Sequence, residues 1–148
     1  MLHGVGFRDL KYLNYWGRIP KELIKNGASV YYGNQEAWGT IEDNAEDVKK
    51  KILDIVKTTE ATKVNIIAHS KGGLDARYMI SKLGMEDYVA SLTTMGTPHR
   101  GSFILDFAYK LPAKLVSFIG RIINKYFKAI GDKSPDFEKA SRQFLTKN

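Results

Sequence analysis

Val64-Asn65-Ile66-Ile67-Ala68-His69-Ser70-Lys71-Gly72-Gly73 reads as an apolar strand running into a small-x-Ser-x-Gly turn. Leu74-Asp75-Ala76-Arg77-Tyr78-Met79-Ile80 follows with the composition of a helix. A strand, a tight turn carrying serine and then a helix is the context in which this motif has chemical meaning. The turn holds the serine in a strained conformation and lifts its hydroxyl clear of the sheet. The flanking positions must be small because strand and helix approach each other closely there. Ala68 stands where glycine is usual and adds one methyl group. Ser70 is therefore the candidate nucleophile.

Outward from this turn the chain alternates. Residues 14–26 predict a helix, with Ile19, Leu23 and Ile24 on one side and Asn26-Gly27 as its stop. Ala28 to Tyr32, β-branched and aromatic, predicts a strand. Thr40 is a candidate N-cap with Asp43 three residues on, and acidic residues crowd the first turn through Asp47. That helix continues through Val48, Ile52, Leu53 and Val56 on one stripe. Val64–Ala68 is the buried strand, residues 71–83 the helix after it, and Tyr88–Met95 the next strand. The order predicts an α/β fold, a parallel sheet with helices on both faces.

Residues 103–148 break the alternation. Pro112 separates a short apolar stretch from a helix at 114–130. Leu115, Ile119, Ile122, Ile123, Tyr126 and Ile130 lie on one of its faces; Lys114, Ser117, Arg121, Asn124, Lys125 and Lys128 lie on the other. Ser134-Pro135-Asp136 opens a last helix carrying Phe137, Ala140, Ser141 and Phe144.

A chain of 148 residues, 43% apolar and 26% charged, fits one globular domain. It has no cysteine, which excludes disulfides and thiolate metal sites. No stretch approaches the ~20 apolar residues of a membrane span. No signal peptide is visible in the opening Met1-Leu2-His3-Gly4. The net charge of +7 is uneven: residues 1–108 hold 14 Lys/Arg against 13 Asp/Glu, and residues 109–148 hold 9 against 3. The basic C-terminal quarter suits either an anionic surface or a solvated polar face. Nucleic acid is not an expected partner, because the cations follow helical spacing without a nucleic-acid motif.

A serine hydroxyl becomes a useful nucleophile when a base takes its proton and donors stabilise the oxyanion that forms. One donor is the backbone N–H after the nucleophile, that of Lys71. A second must come from another loop, and His3-Gly4-Val5-Gly6 is the candidate, with the Val5 N–H at its turn.

Three blocks then carry a resemblance. They are His3-Gly4-Val5-Gly6-Phe7, with the NYWGRIPKEL and GASVYY stretches soon after; KVNIIAHSKGGLDARY around Ser70; and Thr94-Met95-Gly96-Thr97-Pro98-His99-Arg100-Gly101-Ser102. In this order and spacing, covering residues 2–102 almost continuously, the chain resembles bacterial triacylglycerol lipases of the α/β-hydrolase superfamily. The resemblance implies ester hydrolysis through an acyl-enzyme on Ser70, with Val5 and Lys71 forming the oxyanion hole and His3, Gly4, His69 and Gly72 supporting it. It implies a lipid ester substrate, no cofactor, and secretion. It also implies that residues 103–133 form a lid-like helical segment. The helix at 114–130 either opens onto a lipid–water interface or packs on the core, with Ile119 and Ile123 on its apolar side. Tyr15 and Trp16 either line the acyl pocket or pack against the sheet.

The family order is Ser, then Asp or Glu, then His. The three histidines, His3, His69 and His99, already have places in the motifs, and the His69 side chain is expected to point away from Ser70. Asp106, Asp132, Asp136 and Glu138 fall in or just after the lid-like region. The expectation is therefore a partial α/β-hydrolase domain over residues 1–148, lacking its first strands, its C-terminal strands, and the catalytic Asp and His. Asp75 and Arg77 read as members of a structural ion pair, and the Lys71 ammonium is given no role. No metal site is assigned, because the calcium ligands of related lipases lie beyond the matching region. Two other readings stay open: a non-catalytic lipid- or protein-binding fragment using the basic helix, and an acyltransferase or amidase on the same fold. Oligomeric state is left open.

Overall fold

The computed structural model describes residues 1–8 and 15–146. Two parallel strands, β1 (Val64–His69) and β2 (Val89–Met95), form the sheet. They pair from Asn65↔Ser91 to His69↔Met95, after one irregularity next to Val64. On the other side of β1, Leu2 makes a parallel bridge with Ala68: its N–H donates to the Ile67 carbonyl, and its own carbonyl accepts from the His69 N–H, each at 2.9 Å. The His3–Gly6 loop is thereby tied to the strand that delivers Ser70.

The helices are α1 (Ile19–Lys25), α2 (Ile41–Thr59), α3 (Lys71–Lys82), α4 (Phe103–Ala108), α5 (Ala113–Ala129) and α6 (Phe137–Arg142). Thr40 caps α2 as its sequence requires: Oγ1 accepts from the Asp43 N–H at 3.1 Å and donates to the Asp43 carboxylate at 2.6 Å. Ala45, Val48 and Ile52 of α2 meet Ala76 and Met79 of α3 and the inward Ile66 and Ala68 of β1 in one buried core. The alternation of β1 is visible in its burial, since Ile66 and Ala68 are covered while Asn65 faces out and accepts from Ser91 Oγ.

Three expectations are corrected here. The helix expected over 14–26 begins at Ile19, and its first predicted residue, Asn14, lies outside the described residues. Gly17 has φ +56 and Pro20 has no N–H, so a helix cannot run through them and starts with Pro20 in its first turn. The segment Ala28–Tyr32 forms no strand. The Gly33 N–H donates to the Met1 carbonyl, the Met1 ammonium to the Tyr31 carbonyl, the Ala28 N–H to the Leu23 carbonyl and the Lys51 ammonium to the Tyr32 and Gly33 carbonyls, a scattered set that makes no strand ladder. Tyr88 closes a 3-10 turn, Glu86–Tyr88, and β2 begins after it.

The C-terminal third is tethered through charge. Asp132 is buried, forms an ion pair with Arg8, and accepts from the Ala37 and Trp38 N–H groups at 3.1 and 3.4 Å. Glu36 accepts from the Lys133 and Ser134 N–H groups. Met79 is fully buried whereas Phe103 is 83% exposed. Met79→Ala is therefore expected to lower unfolding free energy by about 2–5 kcal/mol, and Phe103→Ala to change it by no more than about 0.5 kcal/mol, read from urea midpoints.

Candidate active site

Ser70 joins β1 to α3 with φ +52 and ψ −124, a backbone conformation that L-residues rarely adopt. Its N–H donates to the Met95 carbonyl at 2.9 Å, which pins the turn to the end of β2. It occupies the N-cap position of α3, yet its hydroxyl makes no capping bond. This is the strained strand–turn–helix geometry that the sequence predicts.

Three glycines create the space around it. A Cβ on Gly4 would lie 2.9 Å from Ser70 Cβ, 3.0 Å from Tyr15 Oη and 3.2 Å from His69 Nδ1. On Gly72 it would lie 2.6 Å from both the Leu2 and His3 carbonyl oxygens, and on Gly73 2.1 Å from Thr97 Oγ1. The first turn of α3 is thus pressed against the Leu2–His3 backbone on one side and the end of β2 on the other.

The expected oxyanion donors are open. The Lys71 N–H belongs to the first turn of α3, where no intrahelical acceptor exists. The Val5 N–H has no acceptor among the described residues. Its loop is braced from two directions. The buried His3 ring bonds through Nδ1 with the Gly4 carbonyl at 2.9 Å, and the Gly4 N–H donates to Tyr15 Oη at 2.9 Å. Tyr15 Oη also meets His69 Nδ1 at 2.5 Å. The Tyr15 link between loop and strand could not be seen in the sequence, because residues 11 and 54 positions away meet only through the fold.

The other pocket candidates are placed separately. Trp16 is buried, edge-on to Tyr15 at 5.1 Å. Ile119 and Ile123 lie on α5, and no hydrogen bond or ring contact brings them to Ser70. A cleft of about 510 Å³ opens instead between α2, the residue 28–33 segment, Met1–Leu2 and the start of β1, and it contains none of the proposed site residues.

Among the described residues no histidine bonds to the Ser70 hydroxyl. His69 is engaged by Tyr15, His3 by Gly4, and His99 lies between Arg77 Nη1 (3.0 Å to Nδ1) and Thr94 Oγ1 (3.2 Å to Nε2). Nor do the described residues cluster three or more His, Cys, Asp or Glu in a way that could hold a metal ion.

Asp75 does not pair with Arg77. It pairs with Lys71 one turn earlier on α3, Nζ to Oδ1 at 2.6 Å, with both side chains buried. Helical i,i+4 spacing brings the two together, whereas residues 75 and 77 project from different faces. Asn44 Nδ2 donates to the other Asp75 oxygen at 3.2 Å, and Lys71 Nζ reaches the Thr40 carbonyl at 3.4 Å. The side chain of a candidate oxyanion donor is thus anchored across to α2. Burial raises the Asp75 carboxyl above its ordinary value of 3.8, opposed by the Lys71 ammonium and the Asn44 amide. The folded chain holds this proton more tightly than the unfolded chain does. The contribution of the group to stability is therefore complete below about pH 4 and declines as pH rises through the raised value. Lys71→Met removes the opposing charge; it is expected to extend the decline to higher pH and to cost about 3–5 kcal/mol at neutral pH, read from urea midpoints across the pH range. Gly72→Ala is expected to cost about 1–3 kcal/mol, because the Leu2–His3 backbone must move to admit a methyl group.

Residues 10–142 match the family model described as palmitoyl protein thioesterase. A triacylglycerol lipase of Pseudarthrobacter phenanthrenivorans is 38% identical over 113 residues, and one of Vibrio cholerae 36% over 107; each alignment takes 72% of this chain and 34% of the relative. Triacylglycerol lipase 2 of Saccharomyces cerevisiae is 34% identical over 110 residues. The chain spans about a third of the length of these curated relatives. The mature form of the Bacillus licheniformis lipase BlEst2 superposes with a TM-score of 0.73 at 23% identity, covering 99% of this chain and 53% of that one. The shared fold is that of an α/β-hydrolase, here with an incomplete sheet of two strands. The chain belongs to the palmitoyl protein thioesterase family and is a lipase-like α/β-hydrolase.

Proposed function

We propose that the chain carries the nucleophile and oxyanion hole of a serine hydrolase acting on lipid esters. Ser70 Oγ attacks the substrate carbonyl carbon and forms an acyl-enzyme, and the Val5 and Lys71 N–H groups receive the oxyanion. Water then releases the acyl group. The observation that carries this reading is the strained φ of Ser70 at the head of α3, with Gly4 and Gly72 holding the opposing loop against it. The lipase relatives favour an oxygen ester, and the family name makes an acyl thioester a substrate to test beside it. The general base is proposed to come from outside the described residues, since each histidine ring among them is directed to another partner or lacks one to Ser70.

Residues 103–133 are proposed as the lid-like segment that meets the lipid–water interface. α5 packs inward through Val116 and Gly120, and its Asn124 side chain accepts from the Phe137 N–H at 2.8 Å. The stripe expected to be its working face remains open: Ile122 and Tyr126 are more than half exposed, as are Phe103, Ile104 and Phe107 of α4. An apolar surface of this extent next to basic residues also favours the second reading, a lipid-contact module without catalysis.

The two readings separate with p-nitrophenyl butyrate. The 148-residue chain is expected to show at most weak turnover, because a site without its base retains only the residual catalysis of the oxyanion hole and binding. No step in rate is expected near the histidine titration range. Robust turnover that Ser70→Ala does not lower overturns the nucleophile reading. Robust turnover with a step near neutral pH overturns the external base.

A further inference from the structure

A second cleft, about 370 Å³, lies between α3, the Pro98–Gly101 turn and the segment Gln143–Thr146. Arg77 and Lys82 of α3 and Arg100 of the turn stand on its walls, and no Asp or Glu lines it. Among the described residues none of these three cations forms an ion pair. Two carboxylates behind the walls are already engaged: Glu42 accepts from Gln143 Nε2 at 2.6 Å, and Asp106 accepts from the Thr146 N–H and Oγ1 at 3.0 and 2.6 Å. Both keep their charge while bonded to these neutral donors, so the excess of cations belongs to the lining itself, three against no carboxylate.

Its cations are also partly positioned in advance. Arg77 Nη1 donates to His99 Nδ1 at 3.0 Å and to the His99 carbonyl at 3.5 Å, which sets the guanidinium against the turn and leaves its Nε and Nη2 groups facing away from these two acceptors. A planar guanidinium fork matches the spacing of two oxygens on a tetrahedral anion, and a lysine adds a mobile point charge. The volume equals that of roughly a dozen waters at about 30 Å³ each, so a phosphate with a short organic remainder fits.

We propose that this cleft binds a phosphate oxyanion, presented by a lipid head group or by a soluble phosphate ester. The lipid source has a structural basis of its own. Gly101, on the cleft wall, leads through Ser102 directly into α4, whose Phe103 and Ile104 are 83% and 81% exposed. A phosphate in the cleft would leave its acyl chains beside these side chains. The site stands apart from Ser70 and does not depend on the hydrolase reading.

The test titrates inorganic phosphate into the ¹⁵N-labelled chain at constant ionic strength and compares two charge-neutralised variants. Saturable amide shifts at Lys82, Arg100 and Gly101 are expected. Lys82→Gln with Arg100→Gln is expected to weaken binding at least fivefold, and Arg121→Gln with Lys125→Gln and Lys128→Gln less than twofold. All five side chains are exposed, so both variants keep the fold. Non-saturable shifts, or equal weakening by the two variants, overturn the site. Flotation with phosphatidylcholine vesicles, with and without phosphatidic acid, then identifies the source. Loss of phosphatidic-acid-dependent binding in the cleft variant assigns a lipid head group; unchanged vesicle binding with weakened phosphate binding assigns a soluble phosphate ester.

Discussion

The contact of Gly72 with the Leu2 and His3 carbonyl oxygens is the constraint on which the site depends. Any side chain there would sit 2.6 Å from both oxygens, and its absence lets the first turn of α3 lie directly on the His3–Gly6 backbone. That approach places two N–H groups with no acceptor among the described residues, those of Val5 and Lys71, in the same neighbourhood as a serine held at positive φ. Gly73 and Gly4 repeat the device on either side, against Thr97 and against Ser70 itself. Backbone strain of about 1–3 kcal/mol at one residue persists only where the surroundings over-determine it. Here β1, β2, α3 and the loop do so together.

The Lys71–Asp75 pair shows how the same turn is held from below. A buried ion pair in which both partners are desolvated contributes little net stability, but removing one member leaves an uncompensated charge. With Asn44 and the Thr40 carbonyl the pair bridges α3 to the start of α2. The side chain of Lys71 thus serves packing while its backbone faces the candidate site, and the two roles use opposite sides of one residue.

The region after β2 combines firm anchoring with an uncovered surface. Asp132 and Glu36 fasten its far end to residues 36–38 and Arg8, and α6 packs beneath α5. The apolar side chains of α4 and of the outer face of α5 nonetheless find no core.

Local sequence was sufficient for the elbow, the Thr40 cap, the α2 stripe and the strands on either side of α3, because each depends on spacing within a few residues. It also proposed Val5 and Lys71 as donors, from the position after the nucleophile and from the His3–Gly6 loop. It misjudged Ala28–Tyr32 and the start of α1: strand propensity needs a neighbour to bond with, and helical periodicity does not override Gly17 and Pro20. Tertiary structure alone decided that Asp75 pairs with Lys71 rather than Arg77, that Tyr15 links Gly4 to His69, and that the apolar stripe of α5 faces outward. Those outcomes turn on which surfaces meet across distances of tens of residues. A helix pattern specifies that a face is apolar; only the packing of the chain settles what covers it.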